Sequence, residues 1–230
     1  MRRRSRVIQD KESHKWIESV RAVAELKQRL PGTRLVSVAD RESDVFEFFR
    51  EAQRLGVDVL ARAAYDRNVE GEQTRIFATL ARAPVLAHKH VALPATPERK
   101  ARTAKLEIRA CPLTLQAPRN GTAQGLPSLP MWGLWAYEPQ APRGEEPLDW
   151  KLVSSVPVTT AEEALERLEW YTARWSIEQW HKILKDGCRI EMRQLQSLQR
   201  LSRLITVYAV IAWRIFYATL LARLVPDMTC

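Results

Sequence analysis

The chain has 230 residues, 46% of them hydrophobic, which predicts one folded domain, with or without an insertion, and excludes a disordered tail. Lys and Arg outnumber Asp and Glu by 36 to 27, and the net charge of +9 makes a polyanion the first partner to test. Cys111, Cys188 and Cys230 form neither an even set for disulfides nor a C-x-x-C zinc pattern, which favours reduced thiols. Basic residues follow Met1 without the apolar run of a secretory signal.

Helical and extended patterns alternate in the first 64 residues. The apolar spacing predicts a helix from Lys11 to Leu30, which Pro31-Gly32 ends. The run from Leu35 to Asp40 predicts a buried strand that delivers a carboxylate at its carboxyl end. A helix from Ser43 to Gly56 and a strand from Val57 to Ala63 follow. Because two strands joined by a crossover helix are parallel, this segment predicts an α/β sheet.

Residues 65–158 differ in composition, since they hold most of the prolines and their apolar runs are short. Ala104 to Ala110 alternates as a half-exposed strand, and weaker strand patterns lie at Met131 to Tyr137 and Trp150 to Val158. We interpret these residues as a mostly β insertion.

Residues 159–230 predict long C-terminal helices. Thr160 to Glu163 is a T-x-x-E capping box, and no proline or glycine follows it before Gly187. A last helix is predicted over about Leu195 to Leu224. Its apolar residues 204–222 approach the length of a membrane span, but Arg214 would lie near mid-bilayer. This favours a helix buried in a protein core or a dimer interface over a membrane helix.

Five polar residues recur at helical spacing in the first of these helices. Tyr171, Arg174, Glu178, His181 and Lys185 are 3, 4, 3 and 4 residues apart, which predicts that they share one helix face. The Glu178 carboxylate would then lie between the cations Arg174 and Lys185 on that face. Such spacing is also typical of a solvated face with ion pairs between turns, so the residues alone leave both interpretations open.

These motifs resemble a known family. Tyr-x-x-Arg-x-x-x-Glu-x-x-x-x-x-x-Lys is similar to the signature of the insertion-sequence transposases related to the transposon-five enzyme. Ser37 to Asp44 resembles the family's second-aspartate motif, and Asp10 to Trp16 resembles the segment before it. Leu148 to Val153 resembles the strand before the glutamate helix. The blocks occur in family order and cover most of residues 10–220.

The resemblance implies a DDE transposase, an enzyme of mobile elements that moves DNA by cut-and-paste recombination. Its core is RNase H-like, as in retroviral integrases, and two aspartates and one glutamate hold two Mg²⁺ or Mn²⁺ ions. Carboxylates suit these ions, which stabilise the attacking and leaving oxygens of phosphoryl transfer. By motif, Asp40 is implied as the second aspartate and Glu178 as the glutamate, both as metal ligands. A helix N-terminal acid is the alternative for Asp40.

The resemblance also implies double-stranded transposon-end DNA as the partner. Arg174 and Lys185 are implied at phosphates, and Tyr171 as a donor near the cleavage site. Trp150 and Trp175 are implied as the two walls that stack an extruded base.

Arg62 and His181 are further candidates for DNA contact, with packing as the alternative for His181. The implied location is the bacterial cytoplasm, at the nucleoid and not in a membrane.

The chain departs from the family at its first aspartate, which belongs to a strand well upstream of the helix matched by residues 11–30. Only ten residues precede that helix, so we expect a truncated core in residues 1–64, an insertion in 65–158, and completion by 159–230. The strand ending at Asp40 is then expected to have an open edge. The family's dimerisation region is expected to be missing or short, although the intact family forms homodimers.

Two of three carboxylates are expected to hold the ions poorly, so this polypeptide alone is expected to be inactive. The alternative is a non-catalytic, DNA-binding or regulatory remnant of a transposase.

Overall fold

The computed structural model describes residues 14–93, 95 and 100–225, so Asp10 to Ser13 of the predicted motif and helix lie outside the described residues. The helices and strands are α1 (His14–Arg29), β1 (Val36–Ala39), α2 (Phe46–Leu55), β2 (Asp58–Arg62), α3 (Ile76–Arg82), β3 (Val85–Leu93), β4 (Arg102–Leu115), β5 (Leu129–Tyr137), β6 (Asp149–Ser154), α4 (Ala161–Ala173), α5 (Ser176–Lys182) and α6 (Leu198–Leu224). The chain divides into two compact units, Met1–Tyr171 and Thr172–Cys230.

A six-stranded sheet with the order β1-β2-β6-β5-β4-β3 forms the centre of the first unit. β1 and β2 are parallel and are connected by α2, which confirms the predicted strand, helix, strand pattern and the α/β class. The other strand pairs are antiparallel. Ala39 pairs with Ala61, so the carboxyl ends of β1 and β2 lie side by side. Among the described strands, β1 lies at one edge of the sheet.

Residues 65–158, which the sequence predicts to be mostly β, contain β3 to β6 and the short helix α3. β6 lies between β2 and β5, with Ser154 opposite Leu60 on one side and Trp132 on the other. These strands therefore continue the sheet that β1 and β2 begin. Their interpretation as an insertion into a family core stays a prediction.

Helices cover both faces of the sheet. One face buries Val59 and Leu113 together with α2, with α1 and α3 contributing to the same cluster. The other face buries Leu60 and Leu152 beneath α4, whose Leu168 is fully buried. The strands alternate between the two clusters because successive side chains of a strand point to opposite faces.

α2 forms because apolar residues recur on one side of it. Phe46, Phe49 and Ala52 are buried, and each is at most 1% exposed. Gly56 ends the helix with φ at 64°, a left-handed conformation that glycine adopts without a steric penalty. Its N–H reaches the last carbonyls of the helix, so the chain turns directly into β2.

The predicted capping box at the start of α4 is confirmed. The Glu163 N–H donates to Thr160 Oγ1 over 3.2 Å, and the Thr160 N–H donates to Glu163 Oε2 over 3.3 Å. Each side chain satisfies a backbone donor that has no partner within the helix.

The prediction of one uninterrupted helix from Thr160 to Gly187 is wrong, because α4 ends at Ala173 and α5 begins at Ser176. The break contains neither proline nor glycine. The Trp175 N–H bonds to the carbonyl three residues back, at 3.1 Å, which tightens the turn. After α5, the segment Ile183–Gly187 widens into a π-helical turn.

The second unit packs α5, the π-helical turn and α6 around Leu184, Cys188 and Ala212. The Trp180 ring nitrogen donates to the Ala209 carbonyl of α6 over 3.2 Å, which links the two helices. Ser197 caps α6 by accepting a hydrogen bond from the Arg200 N–H at 3.3 Å.

α6 is one helix that is long and apolar enough to cross a membrane, which is weak evidence because core helices of soluble proteins pass the same test. Among the described residues of α6, Ala212 alone is buried. Trp213 is 55% exposed and Tyr217 49% exposed, and their rings stack on each other. The prediction that this helix is buried in a core is therefore not met within the second unit, and the dimer interface stays a prediction.

Candidate nucleic-acid and metal site

Asp40 and Arg62 lie at the carboxyl ends of the two parallel strands. Asp40 directly follows β1 with an extended backbone, and Arg62 is the last residue of β2. Because Ala39 pairs with Ala61, the next residues on both strands are neighbours at the end of the sheet. The carboxyl ends of parallel strands are a common location of ligand sites in α/β proteins.

Trp150 belongs to the same end and the same face of the sheet. Arg62 pairs with Leu152, so Trp150 lies two residues further toward the end at which Asp40 is found. Val38 and Leu152 belong to the cluster under α4, and strand alternation places Asp40 and Trp150 on that face. Three of the predicted site residues are thus brought together in the first unit.

The polar atoms at this end of the sheet are partly engaged. Asp40 is half-buried, and its Oδ1 accepts the Glu42 N–H over 2.9 Å. No described residue donates a hydrogen bond to its Oδ2. An Arg62 Nη2 nitrogen donates to the Asp149 carbonyl over 3.0 Å. This bond directs Arg62 along the strand ends and leaves its other guanidinium nitrogens without a partner among the described residues.

Trp150 and Tyr171 are packed against each other in the core of the first unit. Trp150 is 8% exposed and Tyr171 is 2% exposed, with ring centroids 5.6 Å apart at 63°. The edge-to-face arrangement is favourable for two aromatic rings. A base or phosphate could reach these side chains only after they become more exposed, so their DNA contacts stay predictions.

In the second unit, Arg174 and Glu178 form an ion pair one helical turn apart. The Arg174 Nη2 lies 2.9 Å from Glu178 Oε1, and the side chains are 17% and 51% exposed. The Arg174 guanidinium also lies 5.8 Å from the centroid of the Trp175 ring, which is half-exposed. Cation, carboxylate and aromatic ring therefore form one small cluster, in which no described residue donates a hydrogen bond to the second carboxylate oxygen of Glu178.

His181 and Lys185 lie on the surface of the second unit. The His181 ring is tilted against Trp180, with centroids 4.8 Å apart. The Lys185 Nζ lies 3.1 Å from Glu191 Oε1, and both side chains are more than half exposed. Exposed pairs of this kind contribute little to stability, so Lys185 can exchange its partner for another anion at small cost.

The helix on which the predicted stripe of five residues depends is interrupted twice. Tyr171 is buried in α4, whereas Arg174 lies in the break before α5 and Lys185 lies in the π-helical turn. The predicted stripe requires 3.6 residues per turn throughout, and the two irregular turns do not keep that spacing. Glu178 and His181 keep their relative places because both belong to α5.

No group of three or more His, Cys, Asp or Glu side chains that could hold a metal ion is found in residues 14–93, 95 and 100–225. Asp40 and Glu178 nevertheless fit the donor chemistry of Mg²⁺ and Mn²⁺. Each has one carboxylate oxygen to which no described residue donates a hydrogen bond, and hard divalent ions prefer carboxylate ligands.

Asp44 and Arg67 form a buried ion pair beside Asp40 to which the sequence reasoning assigned no role. Asp44 belongs to the motif that contains Asp40, but its partner lies 23 residues further along the chain. A pattern within one helix or strand cannot pair residues that lie 23 positions apart in the chain. The available signal was an acid directly before the helix that buries Phe46, Phe48 and Phe49.

A comparison with protein-family models matches residues 12–214 of the chain to the family described as Transposase DDE domain.

Proposed function

Because this chain belongs to the DDE transposase family, we propose that it acts on transposon-end DNA, with Asp40 and Glu178 as the carboxylates that hold divalent metal ions. The position of Asp40 carries the proposal, because it follows β1 at the end of the sheet, beside Arg62. No described residue donates a hydrogen bond to its second carboxylate oxygen. The parallel pair β1 and β2 supports an RNase H-like core. The ions would stabilise the charge that develops on the oxygens of a phosphodiester during its displacement.

The chain's own cations supply the contacts to the DNA backbone. Arg174 presents a planar guanidinium that can exchange Glu178 for a phosphate, and Lys185 presents a point charge on an exposed side chain. Arg62 and His181 add further donors at strand and helix ends. The net charge of +9 supports binding of a polyanion.

The aromatic residues have separate roles in the proposal. Trp175 is half-exposed beside Arg174 and offers a face on which an extruded base can stack. Trp150 and Tyr171 are buried against each other, so they meet a base or a phosphate only when DNA binding opens their contact.

The second candidate function is DNA binding without catalysis. One observation favours it: the Arg174 guanidinium pairs with Glu178 and competes with a metal ion for that carboxylate. In this second candidate, the polypeptide by itself binds DNA but does not cleave it. Its place of action would be the bacterial nucleoid, and a homodimer through α6 stays a prediction.

The test combines a binding assay with a cleavage assay on a duplex taken from the ends of the element that encodes the chain. Fluorescence anisotropy at 50 to 200 mM salt, as a rough range, is expected to show affinity that falls steeply with salt. Arg174→Ala is expected to weaken binding, and Arg82→Ala, which removes the same charge from an exposed residue of α3, is the matched control. Asp186→Asn, at an exposed acid, is the control for the carboxylate variants. Binding that does not depend on salt would contradict the proposed DNA partner.

Cleavage is measured on the same duplex with Mg²⁺ or Mn²⁺. Nicking by the wild type that is lost in Glu178→Gln and Asp40→Asn but kept in Asp186→Asn would show that the polypeptide is catalytic by itself. Binding without nicking would support the non-catalytic function instead.

A further inference from the structure

Asp44 is a fully buried carboxylate close to the candidate site. Its side chain is 0% exposed, and Oδ2 accepts the N–H groups of Ala64 at 2.7 Å and Tyr65 at 3.0 Å. Oδ1 accepts the Nε–H of Arg67 at 2.6 Å, and a second Arg67 nitrogen donates to the Asp44 carbonyl. A buried charge is stable only when it is paired and hydrogen-bonded, and Asp44 meets both conditions.

These hydrogen bonds join the two segments that leave the sheet at the site. Asp44 ends the single helical turn that Asp40 begins, directly after β1. The residues from Ala64 to Arg67 follow Arg62, directly after β2. One carboxylate therefore ties the backbone that carries Asp40 to the backbone that carries Arg62.

Hydrogen bonds within the turn connect Asp44 to the Asp40 side chain. The N–H and the hydroxyl of Ser43 both donate to the Asp40 carbonyl, at 3.2 Å and 2.8 Å. The Glu42 N–H donates to Asp40 Oδ1 at 2.9 Å and orients the carboxylate. A shift of Asp44 would move the Glu42 N–H and the two donors of Ser43. It would therefore rotate the Asp40 carboxylate at the end of the sheet.

We infer that Asp44, together with Arg67, is a positioning residue that holds the Asp40 carboxylate and the Arg62 guanidinium in register. What Asp40 binds rests on the proposed function, but the coupling between Asp44 and Asp40 does not. Groups that orient a metal ligand commonly change metal affinity by about 10- to 100-fold when they are removed.

The first experiment measures Mn²⁺ binding to the whole chain by electron paramagnetic resonance of the free ion. Asp44→Asn keeps the shape of the side chain but presents an amide to three donors, and it is expected to weaken Mn²⁺ binding by about tenfold. Asp58→Asn is the matched control, because Asp58 pairs with Arg34 at the opposite end of β2 and is expected to change the affinity less than about twofold. Circular dichroism establishes that each variant is folded at the temperature used.

Arg67→Gln keeps the inference testable if Asp44→Asn does not fold. It removes the ion pair but leaves the two backbone N–H groups bonded to Asp44, so a smaller loss of Mn²⁺ affinity, about threefold, is expected.

The second experiment needs no metal. Hydrogen exchange of the Glu42 amide reports directly on its bond to Asp40 and is expected to speed up by about tenfold in Asp44→Asn, relative to the amides of β5. A role confined to global stability would accelerate β5 equally, since all amides would then exchange through the same unfolding.

The outcomes separate this inference from the proposed function. If Asp40→Asn leaves Mn²⁺ binding unchanged, the metal assignment of the proposed function fails, and exchange at Glu42 alone decides the role of Asp44. If Asp40→Asn abolishes binding while folded Asp44→Asn and Arg67→Gln bind Mn²⁺ like the wild type, the positioning role is wrong and the proposed function stands.

Discussion

Tyr171 is predicted to be a structural residue of the first unit whatever else it contacts. Its ring is 2% exposed and packs edge-to-face on Trp150 at 5.6 Å. Removing a buried aromatic side chain costs about 3–5 kcal/mol, so Tyr171→Ala is expected to lower the free energy of unfolding by that amount. For a domain of this size, each kcal/mol shifts Tm by about 2–4 °C, which gives a fall of roughly 6–20 °C.

Tyr171→Phe is the matched control, since it keeps the ring and removes only the hydroxyl. No hydrogen bond joins that hydroxyl to a described residue, so the stability is expected to stay within about 1 kcal/mol of the wild type. If the hydroxyl donates to a DNA phosphate, Tyr171→Phe weakens DNA binding by about tenfold while the fold is kept. An unchanged affinity would reject the phosphate contact and leave the packing role alone.

Urea denaturation followed by far-ultraviolet circular dichroism measures the free energy of unfolding of each variant. A double-mutant cycle with Trp150→Ala is expected to give a coupling energy of about 0.5–1.5 kcal/mol between the two rings. A loss below about 1 kcal/mol in Tyr171→Ala, or a coupling energy of zero, would refute the placement of Tyr171 in this core.

Three further predictions concern stability and reactivity. Arg54 and Arg21 lower the pKa of Glu51 from 4.5 to about 2, so its ionised form stabilises the fold above about pH 4.5, and that contribution is lost as the pH falls toward 2. Urea denaturation at about pH 6 and pH 3 is expected to show a larger loss for the wild type than for Glu51→Gln, and parallel losses would contradict this. Burial raises the pKa of Cys111 to about 11, so iodoacetamide at about pH 8 is expected to modify it at least about tenfold more slowly in the native chain than in urea; equal rates would count against it. A Cβ at Gly133 would lie 2.7 Å from Leu113 Cδ1 and 3.0 Å from Leu80 Cδ2, so Gly133→Ala is expected to lower the free energy of unfolding by about 1–3 kcal/mol. A Tm at or above that of the wild type would argue against close packing there.

Local features of the chain were predictable because neighbouring residues decide them. The apolar alternation before Asp40, the helical face of Phe46 and Phe49 and the glycine at position 56 were sufficient for a parallel pair joined by a helix. The capping box at Thr160 was predictable for the same reason, since both of its bonds form within one turn. The ordered motifs were likewise sufficient for the transposase family that the family model matches.

The interruption of the predicted helix that carries Glu178 could not be predicted from local patterns. The break near Trp175 and the π-helical turn after α5 contain no residue that forbids a regular helix until Gly187. They depend on which carbonyl each N–H reaches, and that choice depends on the packing of the whole segment.

The sequence by itself determined the family, the parallel pair and the location of Asp40 at a strand end, because these depend on short-range patterns. Only the tertiary structure decided that Trp150 and Tyr171 are buried against each other. It also decided that Asp44 joins Arg67 across 23 residues of chain. Contacts between distant segments depend on the completed sheet and its covering helices, so no local pattern contains them.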